Sequence, residues 1–583
     1  MGSREHRRMD RRWWLGCCAG LVLGAGGCAG TSSSSSAPGS FGDGTGGSSG
    51  SGGSGVLADG GSPNGNGGAT APPEQELDST YQAPISTGRF IWIANPTSGR
   101  VAYVDATSLV VKTVEAGDAP TTVAAVPGAD EVVVLNALSN DATVLRTDGT
   151  TLTSRTIPGI VAGANRLAVS RQGRFAIAWV DGRQVANARS TDGFQTLTVI
   201  DLGAGASTAA TAAHTTLAVG FRPASVSFSA DEGRAFAVTE DGVSIITLGG
   251  AGGPLVNANV ALDTDPTADA DTRDVSITGD GRFALVRREG SNTVGVVDLG
   301  SGALTALALS GPVTDLDVTD DGTRAVAVVR DTSEVAVIPL GGVALTPADV
   351  THLTITGETI GQTALTMGGA IAVLYSNAVS SERITVLTLS ASPPTWRTLR
   401  VHAPVLSVIP TADGQGAVVL HPADAAGSST SGGTIADAGT ADAGSGDARA
   451  DAGALSGSGA PPLAGAFSLL PLDGTHPALI QATDAPIQAV AVSPASDRTL
   501  ITVRDDKQAI FGAYVGQFPT LAVARYPLAS PPIAVGVAAT ANRGYVAQQH
   551  PDGRITLIAL DSGDARTLTG YELGARVVDW SQP

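Results

Sequence analysis

From residue 88 onward one pattern recurs along the chain, and it constrains the fold more than any other feature. A run rich in β-branched residues is followed by a turn and a second run that often ends near Asp. A third run, a Gly/Pro turn, an alternating fourth run and an Asp-Gly or equivalent complete the unit. The first copy is whole: Arg89-Phe90-Ile91-Trp92-Ile93-Ala94-Asn95, then Arg100-Val101-Ala102-Tyr103-Val104-Asp105, then Val110 to Val114. Gly117-Asp118-Ala119-Pro120 turns next into Thr121-Thr122-Val123-Ala124-Ala125-Val126, closed by Pro127-Gly128. Period-2 alternation bounded by Gly, Pro and Asp specifies strands, and a fixed period specifies a repeat architecture. The closing turns fall at Gly128, Gly173, Gly233, Gly281, Gly322, Gly368 and Gly414, spaced 41 to 60 residues apart. That spacing holds four short strands. Asp280-Gly281, Asp321-Gly322 and Asp413-Gly414 supply hairpin turns that need positive φ.

Ten first strands begin near residues 90, 131, 175, 235, 283, 325, 370, 416, 499 and 544. The order strand-Asn, Val-x-Val-x-Asp (as in Thr293-Val294-Gly295-Val296-Val297-Asp298), Gly-x-x-Pro, strand-Pro-x-Gly resembles the YVTN-type repeat of bacterial surface and periplasmic proteins. The resemblance covers nearly all of residues 88–583 and implies an all-β β-propeller of four-stranded blades over residues 86–583. The chain opens on three strands and finishes on an orphan run, Arg576-Val577-Val578-Asp579-Trp580. This offset predicts one ring in which the last strand completes the first blade and leaves no open edge. Ten blades exceed the usual four to eight, so two merged rings, a miscount of degenerate units and a solenoid stay open at this point.

The N-terminus carries an address. Arg4, Arg7, Arg8, Arg11 and Arg12 precede an apolar stretch, Trp13 to Gly27, too short to span a bilayer. Residues 1–27 read as a signal peptide, exported by the general secretory or the twin-arginine route. Ala25-Gly26-Gly27-Cys28 resembles a bacterial lipobox, with Ala25 where Leu is usual, which implies lipid attachment at Cys28. Residues 28–85, rich in Ser and Gly, then form a tether that cannot build a core. Cys17 and Cys18 leave with the signal peptide, so no thiol remains for disulfides or thiolate metal sites. Ala29 implies sorting to the outer membrane, on its periplasmic face or at the cell surface. The chain's formal charge of −19 makes nucleic acid and anionic lipid surfaces poor partners. The expected partners are the membrane, through the anchor, and an envelope protein, glycan or small ligand.

Chemistry-bearing motifs are sparse. Residues 423–465 interrupt the eighth unit with Ser/Gly and repeated Asp-Ala-Gly that includes Asp437, Asp442, Asp447 and Asp451, an acidic low-complexity insertion disordered on composition. A second acidic run, Asp263-Thr264-Asp265-Pro266-Thr267-Ala268-Asp269-Ala270-Asp271, offers oxygens to a hard cation, but it lacks the Gly and Glu of the EF-hand. Strand parity puts both acidic segments on one face. His214, His352, His402, His421, His476 and His550 show no paired-ligand spacing, and Gly46-Gly47-Ser48-Ser49-Gly50 matches a nucleophile elbow only inside the tether. Asp274, Asp315, Asp317 and Asp579 fall on expected inner strands, where hydrogen bonding within and between blades accounts for them. No catalytic, cofactor-binding or metal-ligating set is picked out. The reading is a lipid-anchored, non-enzymatic binding or scaffold module. A propeller enzyme of the lactonase or quinone-dependent dehydrogenase kind would need His, Glu, Asp or Arg converging at the channel mouth, and a surface-layer or adhesion component would be open to external protease.

Overall fold

The computed structural model describes residues 84–570 apart from 204–213, 251, 266, 343–344, 424–464 and 551–552. Ten antiparallel sheets of four consecutive strands, here a to d, follow one another as blades 1 (85–115), 2 (120–158), 3 (166–218), 4 (225–260) and 5 (273–308), then 6 (315–354), 7 (362–400), 8 (407–483), 9 (487–527) and 10 (532–569). The a strands of most neighbouring blades touch one another, including those of blades 10 and 1. Strands b and c are the most buried: Glu131–Asn136, Phe175–Trp179 and Gly416–His421 are covered along their whole length. The d strands are largely exposed, as in Val111–Glu115 and Thr395–Arg400. Strand a therefore lines a central channel and strand d forms the rim.

Ten apolar clusters hold the ring, each joining two successive blades, and the tenth joins blade 10 to blade 1. There Ile91, Ile93, Ala102 and Val104 pack on Ala538, Tyr545, Ile555 and Leu557. The Tyr545 hydroxyl donates to the Pro84 carbonyl at 2.6 Å, and the Ser86 hydroxyl to the Val537 carbonyl at 2.8 Å. This is a single closed ten-bladed β-propeller.

Local chemistry explains the repeat. At the a–b hairpins a hydroxyl donates to the following Asp at 2.6 Å, as in Thr278 to Asp280, Thr319 to Asp321 and Thr411 to Asp413. The Gly after each Asp takes φ of +66 to +69°, which a side chain would strain. At the end of strand c, Asp105, Asp201 and Asp298 accept from the backbone N–H two residues on and close the c–d turn. Each of these Asp residues also faces an Arg that precedes strand b, Arg89, Arg174 and Arg282. The same guanidinium lies over the adjacent Phe90, Phe175 or Phe283 ring.

The expected strand positions are met, with a shift in phase. All ten runs read as first strands are b strands, and the run read as the fourth of each unit is the a strand of the next blade. Gly128 and its equivalents are therefore hairpin turns within a blade rather than boundaries between blades. The source of the first blade's inner strand also differs from expectation. Ile85 and Ser86 pair with Trp92 and Ile91, so the chain just before residue 88 supplies that strand itself. Arg576–Trp580 lies outside the described residues, and the ring closes by packing and hydrogen bonds between two complete blades.

Candidate functional site

The b–c turns and the d–a connections between blades share one face of the ring, because strands alternate in direction. Both ends of the 424–464 segment leave blade 8 from this face, between strands b and c. The connection 261–272, from blade 4 to blade 5, lies on it too. The ends of strands b and c of blade 8 that flank 424–464 therefore share this face with the acidic run 263–271, one strand out of phase with the expected positions in the unit. Asp437, Asp442, Asp447 and Asp451 lie outside the described residues, as do Cys28, Gly46–Gly50 and Asp579.

A cleft of about 60 Å³ opens on this face across blades 3, 4 and 5, and its ionisable lining includes Asp181, Arg183, Arg222, Glu240, Asp271 and Arg273. The long b–c connection of blade 3 brings in Asp181, which is buried. It accepts from Arg183 Nε at 2.9 Å and Nη2 at 3.1 Å, and Arg183 Nη2 also reaches the Ala224 carbonyl of the next blade at 3.2 Å. Arg222 donates to the Asp192 and Arg189 carbonyls and lies 3.6 Å from Glu240. Burial pushes the Glu240 carboxyl up, against the pull of Arg222.

Arg273, the first residue of the blade 5 a strand, crosses the seam to blade 4. Its Nη2 donates to the Thr239 and Glu240 carbonyls, both at 2.7 Å. Burial lowers its pKa, with repulsion from Arg288 adding to the effect. No carboxylate among the described residues lies within ion-pair distance of it. Asp274, beside it, is held by Arg287, whose Nη1 donates to the Thr314 carbonyl at 3.0 Å.

The acidic run 263–271 serves its own turns. Asp263, Asp265 and Asp269 each accept from the backbone N–H two residues on, and Arg288 binds Asp263 at 3.0 Å through Nε and the Asp269 carbonyl at 2.8 Å. Among the described residues no group of three or more His, Cys, Asp or Glu is placed to hold a metal ion. Turn formation and ion pairing account for these oxygens. The histidines sit apart: His214 on blade 3, His352 against Glu334 on blade 6, and His421 buried in blade 8 between the Pro404 carbonyl and the Ser468 hydroxyl.

Of the inner-strand acids, Asp274 is paired within its blade, and Asp315 is bonded between blades. The Thr363 N–H of blade 7 donates to Asp315 at 2.6 Å, and its own neighbour Leu316 N–H at 3.0 Å. Asp315 is almost fully covered. Burial first, and then the charge of Asp317, hold its carboxyl well above the usual range. Sequence reasoning flagged these acids and missed Arg273, whose character depends on two carbonyls more than thirty residues away.

No protein family matches the sequence, and no curated protein does either. Among solved structures the chain is similar to Kuenenia stuttgartiensis hydrazine synthase, at 17% identity over 54% of this chain and 99% of the other, with a TM-score of 0.30. It is similar to a eukaryotic initiation factor at 10% identity over 83% and 98%, with a TM-score of 0.43. Dihydro-heme d1 dehydrogenase NirN matches at 13% identity over 79% and 76%, with a TM-score of 0.35. Likenesses this low carry no inference about activity.

Proposed function

We propose that this chain is an exported lipoprotein, anchored through Cys28 to the outer membrane, whose propeller is a non-enzymatic binding module for an envelope component. The charged cleft spanning blades 3 to 5 is the observation that carries the binding role. It gathers arginine and carboxylate groups from three blades onto one face of a ring whose seams are packed all the way round. A concavity on a rigid scaffold with a few convergent polar groups is where a binding site is expected. The address rests on the basic n-region, the apolar stretch, the small residues before Cys28 and the Ser/Gly tether. The likeness of the repeat to the YVTN type supports a place at the surface or in the periplasm.

Crosslinking the tagged protein in its own cells, with Cys28→Ser as the unanchored control, tests both halves. The expected result is an acylated N-terminus by mass spectrometry and a near-stoichiometric envelope partner that the control loses. An unmodified Cys28 overturns the anchor. Absence of any partner above background overturns the scaffold role.

A further inference from the structure

The outer strand of each blade has one unpaired edge, a template for any strand that can reach it. Most of the d strands guard theirs. Lysine, arginine or proline stands on those of blades 1, 2, 7, 9 and 10, a histidine on those of blades 3 and 6, and a register shift at Asn257 breaks that of blade 4. On blade 8 the Gln481 amide donates to the strand's own Ala482 carbonyl at 2.7 Å. The d strand of blade 5, Leu304-Thr305-Ala306-Leu307-Ala308, carries no charge, no proline and no register shift. No charged residue stands anywhere between Asp298 and Asp315.

The register fixes which of its backbone groups are free. Asp298 N–H donates to the Ala303 carbonyl at 2.9 Å, and Leu309 N–H to the Asn292 carbonyl at 2.8 Å. Polar groups alternate in direction along an antiparallel strand. With Val296 opposite Thr305 and Val294 opposite Leu307, the odd-numbered residues bond to strand c, and the N–H and C=O of Leu304, Ala306 and Ala308 face outward. This set is symmetric about Ala306. A second copy laid antiparallel puts Ala306 opposite Ala306 and Leu304 opposite Ala308, and each of these pairs exchanges two hydrogen bonds about a two-fold axis. The side chains agree: Leu304, Ala306 and Ala308 share a face with Val297, turned toward the seam with blade 4. Leu304 and Leu255, from the two sides of that seam, are 37% and 47% exposed. Alanine at the axis lets the two sheets meet, and the leucines lie beside it.

We propose that the outer edge of blade 5 is a self-association surface, where two copies of this chain join their blades into one eight-stranded sheet across a two-fold axis at Ala306. The occupant is a second copy because the free groups are self-complementary about that axis. Two chains of net charge −19 repel one another, and that repulsion is weakest at contact where the facing strands bear no charge. Copies meeting through the arginine-bearing edges would instead set like charges opposite one another. The proposal stands apart from the binding-module reading and needs neither the cleft nor the anchor.

Sedimentation velocity on the full chain carrying Cys28→Ser, which removes any acyl contribution to association, decides the matter. A monomer–dimer equilibrium is expected between about 1 and 100 μM, the weak range that a short interface supports. Ala306→Lys sets two like charges at the axis and should raise the dissociation constant at least roughly tenfold. Ala306→Pro removes only an outward N–H, which an edge strand tolerates, and should do the same. Thr398→Lys, on the edge of blade 7, should leave the dimer unchanged. The register is read by oxidation and peptide mapping: Ala306→Cys should link to itself, since opposed residues there lie about 5.5 Å apart. Leu304→Cys should link to Ala308→Cys in a mixture and not to itself. This readout needs no destabilising change, so it holds if Ala306→Pro fails to fold. A chain that stays monomeric over the whole range, a dimer unaffected by both Ala306→Lys and Ala306→Pro, or a dimer without the 306–306 link overturns the proposal.

Discussion

Removing a single hydroxyl by Tyr545→Phe tests whether the ring closes where the first and last blades meet. Tyr545 is fully buried, and burial pushes its phenol above the ordinary range, so it stays a neutral donor at any working pH. It donates to the Pro84 carbonyl at 2.6 Å across 461 residues of sequence. Phenylalanine fills the same space and leaves that carbonyl buried without this donor, a loss of about 1–3 kcal/mol. Opening of the closure should become roughly 5- to 150-fold more frequent by the same figure. Hydrogen exchange reads it locally: amides of residues 85–92 and 532–548 should exchange faster, while those of blade 5, on the far side of the ring, should not. Gly536→Ala provides an independent perturbation of the same contact, since a Cβ there falls 2.5 Å from Tyr545 Cζ and 2.8 Å from Cε1. Overpacking of this kind costs about 1–3 kcal/mol. Tyr545→Phe should not rescue it, because the ring atoms collide as well as the hydroxyl. Exchange unchanged at both segments, or raised equally in every blade, would refute the reasoning.

Two further outcomes follow from blades 6 and 8. Asp315 has a folded pKa above its unfolded value, so its contribution to stability is full below about pH 4 and is lost as pH rises through the folded value. Asp315→Asn should flatten this slope in urea midpoints between about pH 4 and 7, and parallel curves for the two proteins would exclude it. The strands flanking 424–464 are paired, with His421 opposite Ala466. Replacing the segment by a short Asn-Gly turn should therefore shift the thermal midpoint by no more than a surface change does, about 0.5 kcal/mol, and a large loss of stability would show that the insertion supports the ring.

Repeat number and strand positions were legible because they depend on local chemistry. The Asp-Gly turns at 281, 322 and 414, the terminal Asp of strand c and the β-branched runs carry their structure within a few residues. The phase was not legible. Strands a and d are both short alternating runs beside a turn, and only contact between blades tells Pro120–Ala125 on the channel from Val111–Glu115 on the rim. The acidic run 263–271 was visible as charge, but its use in capping its own turns depends on backbone geometry that composition does not encode. Arg273 was invisible for a stronger reason. What sets it apart is its pair of bonds to the Thr239 and Glu240 carbonyls of the neighbouring blade, a contact that exists only once blades 4 and 5 pack together.

A ring of ten blades also accounts for a core so poor in large rings. Each blade turns the sheet by roughly 36°, against about 50–60° in six- or seven-bladed rings, so neighbouring sheets diverge less toward the rim. Less volume then needs filling, and Ala, Val, Ile and Leu suffice in most seams, consistent with aromatics at 4% of the chain. Aromatic rings gather most closely at the seam between blades 1 and 2, where Phe90, Trp92 and Tyr103 pack against one another and Trp92 bonds to Thr87, with a second ring contact, Phe467 to Tyr514, between blades 8 and 9. The seam between blades 1 and 2 adjoins the closure, where blade 1 contributes an inner strand of only two residues. Aromatic bulk there supplies contact area that the short strand cannot, and it fixes the position of the segment that Tyr545 must meet.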